Sequence, residues 1–313
     1  MKILLTSTSF QDTPGKHQEL LEKQNYDIDT LRGPVTEDVL LPIIAEYDAV
    51  ICGDDEYTQK VLEKGKKGKL KVLSKYGVGL DKIDLKTAKR LGIPVTNCLG
   101  VNQIAVAEHV LALLFSFEKN IISQHDITQK AEWKRYIGNE IFGQTIGIIG
   151  LGAIGKELSK RCLALGMKVL VFDLNRDDEF LNKYQELEFV SDLEEIFENA
   201  DVISLHVPHT DATENIINED VINFKLKKSP IIINTARGML VDSKAIVNGL
   251  ESKKIRAYLT DVLAIEPIIK NEILINKPNV IITPHVGSRT YQTVQRQGLM
   301  AVNNLLEQLK ELS

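Results

Sequence analysis

The chain has 313 residues, enough for about two domains at roughly 150 residues each. With 43% hydrophobic and 26% charged residues it has a globular balance, which excludes a disordered, collagen-like or disulfide-scaffold chain. Against 43 acidic side chains there are 38 basic ones, a net charge of -5, so no footprint for nucleic acid or an anionic membrane surface is expected. Cys52, Cys98 and Cys162 lie far apart with no CxxC pair, which indicates neither a zinc knuckle nor a disulfide frame. The apolar start Met1–Thr6 is too short for a signal peptide. The densest later run, Val110–Phe117, falls far short of the roughly 20 residues that span a bilayer. A reduced, cytoplasmic protein without metal is expected.

In the first hundred residues short apolar runs alternate with helix-period stretches. Ile3–Leu5 is followed by helical His17–Gln24, Tyr26–Leu31 by helical Glu37–Glu46, and Ala49–Cys52 by Thr58–Lys66. Leu70–Leu73 is followed by Leu85–Leu91, and Ile93–Thr96 closes the series. Strands that alternate with helices pair in parallel through crossovers, and both faces of such a sheet are covered. Val101–Phe115 then reads as a helix apolar on almost every face, hence buried, between two domains rather than in a membrane. A second series has strands at Thr145–Ile149, Lys168–Asp173, Val202–Val207, Ile231–Asn234, Arg256–Asp261 and Val280–Thr283, and a helix over Tyr291–Leu312. No repeat, low-complexity tract or polar linker separates the two series.

Gly150-Leu151-Gly152-Ala153-Ile154-Gly155 is a GxGxxG pattern after the strand that ends at Ile149 and before helical Lys156–Leu165. The first glycine permits a tight turn, the second lets a pyrophosphate approach the backbone, and the third allows helix and strand to pack closely. The phosphates would meet the free N–H groups of a helix N-terminus. The next strand ends in Asp173, 18 residues past Gly155, where a carboxylate accepts hydrogen bonds from the ribose hydroxyls of NAD and repels the 2′-phosphate of NADP. Arg176 lies near enough to admit some NADP.

Three later segments each put an ionisable side chain just beyond a strand's carboxyl end, where open α/β sheets bind ligands. They are Asn234-Thr235-Ala236-Arg237-Gly238, Asp261 to Glu266-Pro267, and Thr283-Pro284-His285-Val286-Gly287-Ser288. Together they supply the parts for reducing a 2-oxo acid. Arg237 can fork onto a carboxylate, and His285 can give or take the proton on the reacting oxygen. Glu266 would favour the imidazolium.

These motifs resemble the D-isomer-specific 2-hydroxyacid dehydrogenases nearly end to end. The family's glycine loop matches Gly150–Gly155, its cofactor acid Asp173, its arginine Arg237, its Asp-Val-x-x-x-Glu-Pro segment Asp261–Pro267, and its catalytic histidine His285. The resemblance implies two doubly wound parallel-sheet domains. A Rossmann NAD-binding domain, 101–285, would be inserted into a flavodoxin-like substrate domain formed by 1–100 and 286–313, with a closing cleft between them. It implies that Gly77-Val78-Gly79-Leu80-Asp81 is the substrate loop, and that Asn102 and Ile104 lie near substrate and nicotinamide. Val207-Pro208 would lie under the adenosine, Asp261 would face the carboxamide, and Thr235, Ala236 and Ser288 would join the cofactor site.

Within the family the chain is most like phosphoglycerate dehydrogenases without a regulatory domain, through Gly77–Asp81 and Trp133-Lys134-Arg135. That implies a homodimer in which Arg135 reaches the partner's pocket and oxidation of D-3-phosphoglycerate to 3-phosphohydroxypyruvate, with Lys75, Arg135 and Arg289 as candidate phosphate cations. Lys75-Tyr76 stands where such members often carry Arg and a small residue, so Tyr76 would narrow the pocket. Glyoxylate, hydroxypyruvate, D-lactate-type and phosphonate or phosphite substrates stay open, as does a non-catalytic NAD-sensing module that binds protein partners.

Overall fold

Every strand pairing is parallel, as the alternation of strands and helices demands. The computed structural model describes residues 1–312, which divide into two units. One is Met1–Asn102 with the stretch from Arg289 onward, and the other is Gln103–Ser288.

The first unit contains β1 (Lys2–Leu5), β2 (Asp27–Thr30), β3 (Ala49–Cys52), β4 (Val72–Lys75) and β5 (Val95–Thr96), in the order β2-β1-β3-β4-β5. This is the flavodoxin-like order, with its switch point between β1 and β3. The C-terminal helix Tyr291–Glu311 covers one face, burying Ala301, Val302 and Leu305 against Ile3, Leu5 and Val72. Its Ala301 carbonyl accepts a hydrogen bond from Ser74 Oγ at 2.7 Å, which ties it to β4.

The second unit contains β6 (Thr145–Ile149), β7 (Lys168–Phe172), β8 (Leu187–Phe189), β9 (Val202–Leu205), β10 (Ile231–Asn234), β11 (Ala257–Thr260) and β12 (Val280–Ile282). Their order, β12-β11-β10-β9-β6-β7-β8, is that of a Rossmann sheet extended by one strand at the β12 edge. The helix Gln103–Glu118 packs into this unit's core through Ala107, Val110, Leu111, Leu113 and Leu114, which meet Ile146, Leu158 and Cys162. Among the described residues no helix is long and apolar enough to cross a membrane.

Several elements depart from the sequence reading. The expected helix Glu37–Glu46 is split into Glu37–Leu40 and a 3-10 turn Ile44–Glu46, because Pro42 between them has no N–H to continue the ladder. The strand expected at Leu70–Leu73 lies two residues later, and Ile93–Thr96 keeps only two residues of pairing. Strand β8 and the helices Ile121–Gln129, Asp178–Lys183, Leu193–Asn199 and Ser243–Glu251 were not singled out in the sequence. Most are short and carry too few apolar positions to show a period.

At the far end of the helix Gln103–Glu118, the fully buried Glu118 carboxylate holds Arg256 in a two-pronged pair at 2.5 and 2.9 Å. Asn139 and Gln144 donate to the same carboxylate at 3.0 and 3.3 Å. Removing the arginine strands a buried charge. Arg256→Leu is therefore expected to lower unfolding free energy by about 2–3 kcal/mol. A fall in the urea midpoint, largely restored in Glu118→Leu/Arg256→Leu, would be the signature; an unchanged midpoint in the single variant would contradict it.

Candidate active site

Strand β6 runs into Gly150, whose φ of 105° a side chain would not tolerate. A Cβ there would lie 2.6 Å from the His206 carbonyl oxygen, and one at Gly155 only 2.0 Å from the Gly150 oxygen. At Gly152, by contrast, a Cβ would meet nothing within 4 Å. So two glycines are consumed by close packing, and the middle one leaves open space at the mouth of the helix Ala153–Ala164. No side chain caps that helix, so its first N–H groups, those of Ala153 and Ile154 among them, have no side-chain acceptor at the cap and would suit an anion.

Asp173, one residue beyond β7, accepts from Leu151 N at 2.7 Å and Asn175 N at 2.9 Å. Each carboxylate oxygen keeps a further lone pair for a hydroxyl. Arg176 is turned to Asp178 at 2.7 Å and over the Phe189 ring, so its charge is already committed. Across the switch point, beyond β9 and β10, three buried polar atoms have no partner: His206 Nδ1, His209 Nε2 and Thr235 Oγ1. Burial pushes the His206 imidazole down to about 4, so it is neutral, and its Nε2 is paired with Ser204 Oγ at 2.8 Å. Val207 stands against Gly150, and the exposed Pro208 accepts from Thr213. An open glycine mouth, an acid with spare lone pairs and unsatisfied polar atoms beside the switch point fit a dinucleotide.

The turn after β10 is built by Asn234, fully buried, whose amide accepts from Ala236 N at 3.1 Å and donates to the Arg237 carbonyl at 2.8 Å. Arg237 Nη1 donates to the Ala236 carbonyl at 2.6 Å. Gly238 is seated so tightly on the next loop that a Cβ would lie 2.0 Å from the Leu263 carbonyl carbon. In that loop Leu263 N donates to Glu266 Oε1 at 2.8 Å, and Glu266 Oε2 accepts from His285 Nδ1 at 2.7 Å. The three strand-end loops are thus linked one to the next, and Glu266 and His285 are in direct contact.

His285 has φ of 53°, an uncommon conformation for a residue with a side chain. Its N–H donates to the Asp261 carbonyl at 2.9 Å. The Asp261 side chain is 2% exposed; it accepts from Thr283 Oγ1 at 2.6 Å, Val286 N at 2.9 Å and Gly287 N at 2.7 Å. Burial alone would raise its pKa, but bonds from His109, Thr283, Val286 and Gly287 outweigh it and leave the carboxyl below its ordinary value. Its bonds go to the Thr283–Gly287 loop. Ser288 follows that loop, half-buried.

The first unit presents the other candidates separately. Gly77 has φ of 137°, and its carbonyl accepts from Cys98 N at 2.8 Å, while that of Val78 accepts from the Asn97 amide at 2.7 Å. These bonds shape the Gly77–Gly79 turn. Lys75 is buried beneath it, its ammonium on the Gly53 carbonyl at 2.6 Å and Asp54 at 2.5 Å. Tyr76 packs edge-on to Phe10 with its hydroxyl buried and unpartnered. Arg289 donates to Thr8 Oγ1 at 2.6 Å, beside the end of β1. Asn102 precedes the helix Gln103–Glu118, and Arg135, in the second unit, lies in the wholly exposed stretch 131–140.

The sequence reading gave no role to His109 or His206, and named Thr283 and Asn234 only as parts of their segments. A histidine in an otherwise apolar helix was the one available signal for His109; the others needed the turn geometry.

Residues 111–287 match the NAD-binding domain of the D-isomer specific 2-hydroxyacid dehydrogenases. The chain is 35% identical to a hydroxypyruvate reductase of Thermotoga maritima, over 93% of this chain and 94% of that protein. It is 36% identical to a D-3-phosphoglycerate dehydrogenase of Methanocaldococcus jannaschii over 99% of its own length, but spans only 58% of that protein. A crystal structure of the TT0316 protein from Thermus thermophilus superposes with a TM-score of 0.88 at 33% identity, covering 99% and 97% of the two chains. The chain belongs to the D-isomer-specific 2-hydroxyacid dehydrogenases. It is an NAD-dependent oxidoreductase of that class.

Asp173→Ala removes the acceptor at the end of β7 together with the bond to Leu151 N. NADH affinity, followed by fluorescence titration, is expected to fall about 10- to 100-fold, with NADPH affected much less. An equal loss for both cofactors would contradict a ribose contact.

Proposed function

We propose that the protein reduces a short, unphosphorylated 2-oxo acid of the hydroxypyruvate or glyoxylate class to the D-2-hydroxy acid. The observation that carries the chemistry is the 2.7 Å bond from His285 Nδ1 to a Glu266 that is itself fixed by Leu263 N. Bound NADH supplies the hydride. Arg237 forks onto the substrate carboxylate and orients its carbonyl. His285 gives the proton to the carbonyl oxygen through Nε2, while Glu266 holds the ring by Nδ1 and stabilises its charged form. In the reverse direction the same imidazole takes the hydroxyl proton.

The choice of an unphosphorylated acid is supported by Lys75, whose side chain is 5% exposed and whose charge is already neutralised by Asp54. A phosphate requires cations with donors to spare. The near full-length match to a hydroxypyruvate reductase supports the same reading. Arg289 favours a second reading, 3-phosphohydroxypyruvate: it is exposed, and its hydrogen bond is to the neutral Thr8 hydroxyl. The first unit would carry the substrate loop, and a cytoplasmic homodimer in which the 131–140 stretch meets a partner belongs to the same proposal.

The test is nicotinamide absorbance with hydroxypyruvate, glyoxylate, pyruvate and 3-phosphohydroxypyruvate. We expect kcat/KM for an unphosphorylated acid to exceed that for the phosphorylated one by at least about tenfold, roughly one charged hydrogen bond. A reversed order, abolished by Arg289→Ala, would establish the second reading. Silence across the panel with intact NADH binding would point to a non-catalytic module. His285→Ala should lose about 10²–10⁴-fold in turnover.

A further inference from the structure

We infer that His109 is a positioning residue for His285, acting through Thr283 and Asp261; this rests on the reading of His285 as the proton donor. His109 lies on the helix Gln103–Glu118, among Ala105, Val106, Val110 and Leu113, all buried. A polar ring placed among such residues is costly unless it is bonded. Its Nε2 is 2.9 Å from Thr283 Oγ1 and 3.4 Å from Asp261 Oδ1.

Proton accounting fixes the direction of the chain. Thr283 Oγ1 is 2.6 Å from Asp261 Oδ1, and an ionised carboxylate only accepts. The single hydroxyl proton therefore points at Asp261. That oxygen is left as an acceptor, so His109 donates to it through Nε2–H. Asp261 then holds Val286 N and Gly287 N with its carboxylate, and His285 N with its carbonyl.

The ring also closes the loop sterically. A Cβ on Gly287 would lie 3.4 Å from His109 Cδ2 and 2.9 Å from Asp261 Oδ2, so the loop runs in a slot between the two. His285 sits in its left-handed conformation only while this slot and these bonds persist. Without His109 the Thr283 oxygen loses its donor, the slot widens where the ring stood, and the imidazole loses its register with Glu266. The contacts run from the His109 ring through Thr283 and Asp261 to the His285 backbone, which makes His109 a lever on His285.

The test is a mutant cycle on the whole protein, with the best 2-oxo acid of the panel as substrate. His109→Leu is expected to lower kcat about 10- to 100-fold, the size of one charge-linked hydrogen bond, with NADH affinity by fluorescence little changed. His109→Gln, whose side-chain amide can donate to Thr283, should recover most of that loss. In a His285→Asn background, where Asn tolerates the same backbone, the His109→Leu effect should vanish. If His109→Leu does not fold, Thr283→Val takes its place in the cycle with the same expectation. An undiminished effect in a crippled His285→Asn background, or loss of NADH binding in proportion to turnover, overturns the inference alone. A His285→Asn variant within a few-fold of wild type overturns the assignment of His285 and this inference with it.

Discussion

The carboxylate of Asp261 is the constraint on which the candidate site depends. It lies 2% exposed at the end of β11, where an unpaired charge would cost several kcal/mol. Thr283, Val286 and Gly287 each donate to it, and His109 stands at 3.4 Å. The solvation that burial removes is thus replaced by donors of one loop. This couples the carboxylate's stability to that loop's conformation, and the loop carries His285. A shift in either would leave a buried charge exposed to an empty space, so the arrangement resists intermediate positions.

The same economy of contact runs through the neighbouring loops. Gly238 lies on Leu263 with no room for a side chain, and Leu263 in turn orients Glu266. Each strand of the parallel sheet delivers its loop at the carboxyl edge, and each loop is seated against the next. Arg237, Glu266 and His285 therefore stand on loops that are placed by backbone packing and by polar bonds to neighbouring backbone groups. That is the condition for a site whose donors must be aimed before the substrate arrives.

Much of this was legible in the sequence because strand-ending motifs carry their chemistry locally. Gly150–Gly155 and Asp173 could be read from spacing alone, since the turn, the helix mouth and the acid follow from backbone geometry that glycine and a strand end impose. The strands Thr145–Ile149 and Ile231–Asn234 were readable because buried parallel strands are continuous apolar runs. Position relative to other elements was not legible. Lys75 is a candidate phosphate cation in the sequence, and only the fold shows that β4 ends where the chain presents Gly53 and Asp54 to it, a meeting set by sheet order. The bonds of Asp261 to a loop more than 20 residues away were likewise hidden, since that loop's approach depends on β11 pairing with β12. His109 could not be weighed at all until the helix face that meets Thr283 was known.

Hydrogen exchange of the Val286 and Gly287 amides in wild type and Asp261→Asn tests most directly whether this buried carboxylate holds the His285 loop. If it does, the substitution speeds exchange at those two amides by about 10- to 100-fold, the loss of one charged acceptor each, while amides in β6 and β9 keep their protection. Unchanged protection of Val286 and Gly287 in Asp261→Asn would contradict it.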